Sequence, residues 1–463
     1  MTTETVNDIP LAPKALPVIG HALVMGRSPL QFLESLAEAG AALTRIRIGT
    51  MSMVMVCDAG LVRHVLTHDR TFDRGGPVFA RFAEVAGNGL VTCPHGDHRR
   101  QRRLVQPAFG NEYVRAYSAG MSRVIEDVVG SWRDGEVLDT HSALMTVTTG
   151  VLSSTLFGTA LSPEKLAEAV ADIGVVDDGI MIRTMVPRWV AALPTRSARN
   201  YRAAAGRVRD MLDRTVERRH ALAVAGGVAT AGRVETGARG GLLSVLLDDR
   251  NKETSDVALS ESELSDQMVT FFLSGADTIA ASLEWSLYLL AQHPDIADRL
   301  YRETSSVLRG RVATWDDLPR MPLVRWVLLE ALRIYPPVWM FTRIVTADTT
   351  LGGYALPAGT SIGISPLLLH RQPGFCARPA EFVPDRHADG AGPGLGKSGI
   401  FTFGGGARRC IGDTFGLAEA QLVLATIASR WQVALCPGKR VGPTVAAVLR
   451  PRNMRVVLGA RAR

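Results

Sequence analysis

The chain has 463 residues, 46% hydrophobic and 21% charged, with a formal net charge of +7. That balance excludes a disordered or fibrous chain, and the length suits one large enzyme domain, residues 1–463. The basic surplus is nearly all arginine, acids are spread throughout and no aromatic-rich basic module appears; this argues against nucleic-acid binding and leaves a docking face for an acidic protein partner, or a plain arginine bias.

The N-terminal stretch lacks a charged region followed by a clean apolar core, because Pro17, Gly20 and His21 interrupt it. No run of about 18 apolar residues follows, so a soluble, cytoplasmic protein without a membrane anchor is expected. Residues 44–57 alternate apolar and polar about Gly49 and Thr50 and predict a two-stranded hairpin. Helices are predicted from 99 to 109, 112 to 131 and 140 to 157, and then a long arginine-faced helix ending near Ala223. The glycine-rich stretch 224–240 predicts a mobile connection.

From Ser260 to Pro294 the pattern predicts a helix of about 33 residues, roughly 50 Å long, opened by a Ser260/Glu263 capping box. Its middle, Phe271 to Leu283, is almost wholly apolar or small, yet holds "SGADT". A buried carboxylate such as Asp277 is costly unless it is paired or used, although a kinked helix with a solvated acid would also carry one. Residues 322–334 predict another helix with Glu330 and Arg333 on one face, the spacing of an ordinary ion pair. Strand-like "LGGYALPAGTSIGISP", the proline-bracketed loop "RPAEFVPDR" and an alternating tail over 431–457 complete the chain.

The five cysteines, at 57, 93, 376, 410 and 436, contain no C-x-x-C pair, which leaves a zinc ribbon, a redox dithiol and a secreted disulfide framework unsupported. Cys410 stands apart, inside "FTFGGGARRCIGDTFG". A thiolate is a soft, strongly donating metal ligand that backbone N–H groups can hold and tune. Glycines let the backbone approach sulfur and a flat cofactor, and the helix predicted from Asp413 adds positive potential beside it. The alternative is a glycine-rich turn around a structural cysteine.

Together these motifs resemble the cytochromes P-450, the heme-thiolate monooxygenases. The F-x-x-G-x-R-x-C-x-G loop matches fully, "EALR" matches E-x-x-R, "RPAEFVPDR" matches P-x-x-F-x-P-x-R, and "SGADTI" resembles A-G-x-D/E-T-T with Ser274 and Ile279 departing. The resemblance implies a mainly α fold with a smaller β region, and heme b buried between the long central helix and the cysteine-loop helix. It implies Cys410 as the axial iron ligand, and His98, Arg102, Arg343 and Arg408 as partners of the heme propionates. Glu330, Arg333 and Arg386 would form a structural ion-pair cluster behind the loop. Asp277 and Thr278 would be the catalytic pair that delivers protons during oxygen activation. Family topology sets an apolar substrate wall from Phe79, Phe82, Leu90, Phe272, Ala276, Val338, Trp339 and Met340, with few polar handles.

Electrons would come from a ferredoxin and its NAD(P)H-dependent reductase, and the protein would act as a monomer. "TFDRGGP", "GNGLVTC" and "HRRQRRLVQPAF" look like bacterial oxygenases of cyclic terpenes, such as those of the pentalenene type. Alternatives are hydroxylation of a polyketide, macrolide or steroid-like substrate, a peroxygenase or isomerase-like relative that needs no electron partner, and a heme-binding or sensor protein without turnover.

Overall fold

A computed structural model describes residues 4–49, 51–158, 161–186, 188–224, 241–252, 258–372, 374–388, 401–438 and 440–461. Of the glycine-rich connection expected at 224–240, all but the first residue lies outside these. The elements that matter for the site are, in chain order, strands β1 (Leu43–Ile48), β2 (Met51–Val56), β3 (Phe72–Arg74), β4 (Phe341–Val345) and β5 (Ser361–Ile364), and helices α1 (Ala59–Thr67), α2 (His95–Val105), α3 (Thr140–Phe157), α4 (Pro163–Met185), α5 (Glu261–Gln292), α6 (Pro322–Ile334) and α7 (Asp413–Arg430). Among the described residues no helix is long and apolar enough to cross a membrane.

The chain packs into two compact units. The first comprises Met1–Ala80, Pro94–Gly96 and Leu329–Cys410. Its centre is a five-stranded sheet in the order β1-β2-β5-β4-β3. The expected hairpin is present, with β1 and β2 antiparallel from Leu43 opposite Val56 to Ile48 opposite Met51. Strand β5 adds parallel to β2, and β4 and β3 then pair antiparallel, bringing Arg74 opposite Arg343.

The buried Glu330 carboxylate ties this unit together. Arg333 donates to both its oxygens at 2.9 Å, Arg386 Nε to Oε1 at 2.9 Å and the Val383 amide to Oε1 at 3.0 Å. His387 Nε2 lies 2.9 Å from Oε2. Arg333 spends its remaining N–H groups on the carbonyls of Pro379, Glu381 and His370. Residues that in sequence could be an ordinary surface pair are both fully buried. The family-implied cluster is thus formed, with His387 as a member that sequence reasoning missed.

The second unit comprises Arg81–Cys93, Asp97–Leu328 and Ile411–Arg463. Its spine is α5. The Glu263 amide donates to Ser260 Oγ at 3.1 Å, and the Ser260 amide donates to Glu263 Oε2 at 2.9 Å, so the capping box is complete. Helix α3 starts on the Asp139 side chain and stops at Gly158 in the left-handed conformation. Helix α2 begins at His95, earlier than expected, just after Pro94, and ends at Val105. Residues Gln106–Phe109 tighten into a 3₁₀ turn, because Pro107 has no N–H to continue an α-helix. The alternating tail forms strands as expected: Trp431–Leu435 pairs with Arg455–Ala460, and Gly442–Val445 with Leu449–Arg452.

Removing one member of a buried ion cluster leaves the others uncompensated, so Glu330→Ala should lower unfolding stability by about 3–5 kcal/mol. An unchanged thermal midpoint for the purified variant would show that the cluster contributes nothing net.

Candidate functional site

In the first unit the cysteine loop is shaped by two left-handed glycines. Gly404 and Gly406 have φ values of +70° and +67°. A Cβ on Gly406 would stand 1.9 Å from the Leu66 carbonyl oxygen, so α1 presses directly on the loop and only glycine fits. The Cys410 amide donates to the Phe403 carbonyl at 2.9 Å, closing the loop on itself. Of the five cysteines only Cys410 is exposed; Cys57, Cys93 and Cys376 are buried.

The loop is anchored from behind by a residue that the sequence did not single out. The Phe401 amide donates to His370 Nε2 at 2.8 Å, and His370 Nδ1 lies 3.1 Å from the Arg333 carbonyl. One nitrogen must accept and the other donate, which fixes a neutral tautomer. Burial, and then the Arg333 charge, push this imidazole down to about pKa 3. Thr402 Oγ1 adds a bond to the Leu332 carbonyl at 3.0 Å. The Glu330 cluster therefore reaches the loop through Arg333 and His370.

Beside the loop, cations outnumber their counter-charge. Arg408 is buried and donates to Asp73 Oδ1 at 2.6 Å. Arg343 is buried as well, its ring neighbour being Phe341 at 5.1 Å. Burial and then the nearby Arg408 charge lower its pKa to about 10, although Asp73 and Asp69 pull the other way. Arg74 stands opposite Arg343 in the sheet and donates to the Arg408 carbonyl at 3.4 Å. Two buried guanidinium groups that repel each other suit a dianionic guest. The sequence-predicted Arg343 and Arg408 are thus brought together; Asp73, which orients Arg408, was missed because nothing in "TFDRGGP" marks it.

In the second unit His98 and Arg102 lie four residues apart on α2, hence on one face. His98 is buried, and Arg102 Nε donates to Gln106 at 3.1 Å. Helix α2 is bound to α5 by the ion pair of Arg100 with Glu263 and by Gln267 donating to Gln101 at 3.0 Å. The segment 87–90 is clamped to α5 too, through the Asn88 amide on Asp266 at 2.8 Å.

Along α5, from Leu264 to Leu287, every residue is buried except Ser274, Gly275 and Thr278. These three share one face and give the helix a single accessible strip. Helix α5 runs unbroken through this turn, with Thr278 Oγ1 donating to the Ser274 carbonyl at 2.8 Å, and its acid Asp277 is buried rather than solvated, so the alternative of a solvated acid at a kink fails. Asp277 is buried on another face, where burial raises its pKa against the pull of His141 and Arg450. Ile279, at the position of the family's second threonine, packs 3.6 Å from where a Gly416 Cβ would be, on α7. Phe272 is spent in the core, its ring 6.2 Å from Phe157.

In the first unit, an exposed thiol in a tight glycine-shaped loop beside two buried guanidinium groups fits an anionic, metal-bearing guest. The cytochrome P450 family model matches residues 10–457. The chain belongs to the cytochrome P450 family.

As a cytochrome P450 it is a monooxygenase, an oxidoreductase whose cofactor is heme with a cysteine thiolate on the iron. It is 39% identical to pentalenene oxygenase of Streptomyces avermitilis over 451 residues, covering 97% of each chain. It is 36% identical to cyclooctatin synthase of Streptomyces melanosporofaciens, over 96% of this chain and 95% of the relative. Cyclooctat-9-en-7-ol 5-monooxygenase of the same organism is 37% identical, over 92% and 90%. The crystal structure of the cytochrome P450DA heme domain superposes with a TM-score of 0.84 at 23% identity, covering 98% of both chains, and so shares the fold.

The neutral His370 gives a pH signature. Its folded pKa lies below the value of about 6.5 in an unfolded chain, so its contribution is complete above that pH and is lost as acid is added. Between pH 6.5 and 5.5, before Glu330 begins to titrate in the unfolded chain, stability should fall by up to about 1.4 kcal/mol per pH unit. Equilibrium unfolding of parent and His370→Asn across this window checks it, the variant losing most of that slope; parallel curves would exclude the assignment.

Proposed function

We propose that this cytochrome P450 hydroxylates a cyclic terpene hydrocarbon in bacterial secondary metabolism, with Cys410 as the residue whose thiolate would hold its heme iron. The observation that carries the substrate class is the 39% identity, over nearly the whole chain, to a pentalenene oxygenase, with two further relatives named for cyclooctatin steps. The apolar character of Phe79, Phe82, Leu90, Trp339 and Met340 supports it, since a hydrocarbon offers nothing to hydrogen-bond.

Bound heme, given electrons and dioxygen, supplies the oxidant that inserts one oxygen atom into a C–H bond. The protein's own residues do the rest. The Cys410 thiolate holds the iron and donates electron density to it. Arg343, Arg408, His98 and Arg102 neutralise and orient the propionates. Apolar side chains hold the hydrocarbon and keep water out. Thr278, on the accessible strip of α5, positions a proton through its hydroxyl, and Asp277 on the same turn feeds it. Electrons arrive from an acidic ferredoxin supplied by NAD(P)H through a reductase, and the surplus of arginines suits such a partner. The chain works as a single-domain, cytoplasmic monomer.

The decisive experiment is a screen of cyclic sesquiterpenes and diterpenes for heme spectral shifts and for oxidised products with a ferredoxin and reductase. Binding and oxidation confined to steroids or macrolides would overturn the substrate class. Cys410→Ser should lose both activity and the red-shifted Soret band of the reduced carbon monoxide complex, because a neutral hydroxyl cannot donate as a thiolate does; a variant that kept that band would remove Cys410 as ligand. Thr278→Ala should keep the heme spectrum, yet convert less NADH into product and more into hydrogen peroxide. Unchanged coupling in Thr278→Ala and Asp277→Asn would mean that this turn only packs.

A further inference from the structure

Asp277 does not share the accessible strip of α5. It lies on a polar seam of α5 that also holds Glu284, and that seam leads outward. There Thr140 Oγ1 donates to Glu284 Oε1 at 3.2 Å and His141 Nδ1 lies 3.4 Å from Oε2. Asp277 Oδ1 is buried and has no hydrogen-bond partner among the described residues. An orphaned buried carboxylate oxygen marks a place for internal water. Asp277 and Glu284 are seven residues apart on one helix, two turns and about 10 Å, and so share a face.

The outer end meets solvent. Arg450, from the strand Leu449–Arg452, places Nη1 on His141 Nε2 and Nη2 3.8 Å from Asp178 Oδ1 on α4. The Asp178 side chain is 59% exposed and the His141 side chain 29%, whereas Glu284 is wholly buried. Arginine can only donate, so His141 Nε2 accepts and its proton sits on Nδ1, facing Glu284. Burial raises Glu284 against the hydrogen bond and charge of His141, and Asp277 raises it further. Asp177, next to Asp178, is raised by burial and by the same Asp277 charge. Burial thus favours the neutral form of each carboxyl.

We propose that this seam is the proton intake of the enzyme, with His141 and Glu284 as its entrance and Asp277 as its delivery end. Arg450 is the gate. When it turns from His141 to the nearby Asp178, Nε2 is freed and takes a proton from solvent while Nδ1 passes one to Glu284. Glu284 hands that proton to water in the seam, and the water hands it to Asp277. The net result is one proton moved from solvent to Asp277; Glu284 is restored, and His141, left with its proton on Nε2, returns to the Nδ1 form by exchange with solvent before Arg450 closes on it again.

The proposal rests on the oxygenase reading, so its test uses the resting holoenzyme, without substrate or electrons. The acid C=O stretch of Asp277, assigned by its loss in Asp277→Asn, is followed by infrared spectroscopy after transfer to deuterium oxide. His141→Phe and Glu284→Gln should each slow its exchange by about tenfold or more, and Arg450→Met, lacking the gate, should speed it. A purely structural role predicts the opposite for the first two, because a loosened seam exchanges faster. Should Glu284→Gln fail to fold, His141→Phe decides. Unchanged or faster exchange in those variants, or no acid band removed by Asp277→Asn at any pH, overturns the proposal. Failure of the terpene or oxygenase reading would appear instead as absent product with exchange intact.

Discussion

One buried carboxylate organises the proximal chemistry of this cytochrome P450. Glu330 is wholly enclosed and would be prohibitively costly alone. Its partners, Arg333, Arg386, His387 and the Val383 amide, come from distant stretches, so satisfying it draws α6 and the proline-bracketed loop to one point. Arg333 then has carbonyls to satisfy, and the backbone that meets this need includes His370, whose ring receives the first amide of the cysteine loop. The cysteine loop is thereby held by a chain of buried hydrogen bonds as well as by its own glycines.

The long helix uses its acids by a different rule. Glu263 and Asp266 are paired, with Arg100 and Arg209, and act as structural ties. Asp277 and Glu284 have no arginine hydrogen-bonded to them, and burial raises both. Glu419 on α7 is the extreme case: both oxygens are buried without a partner among the described residues, and burial pushes its carboxyl well up.

Local patterns were legible from sequence wherever one residue type answers one physical need. The Ser260/Glu263 box, the hairpin at Gly49, the start of α7 at Asp413 and the glycines of the cysteine loop all emerged where expected. So did the joint burial of Arg343 and Arg408. What stayed hidden depends on tertiary approach. His370 reads as one more residue in "PLLLHRQ", and His387 as part of a turn. His141 and Arg450 carry no signal until tertiary packing sets them beside Glu284. Helix ends moved for local reasons, as where Pro107 tightened the chain after Val105.

The cation-rich edge of the five-stranded sheet has a consequence for biogenesis. Strand β3 has its partner β4 roughly 270 residues later in the chain. During synthesis Asp73 and Arg74 therefore leave the ribosome long before Arg343 and Arg408 exist. When those arrive, three guanidinium groups gather at this edge with Asp73 and Asp69 as their nearby acids, so the edge of the sheet and its balance of charge are completed only after most of the chain has been made.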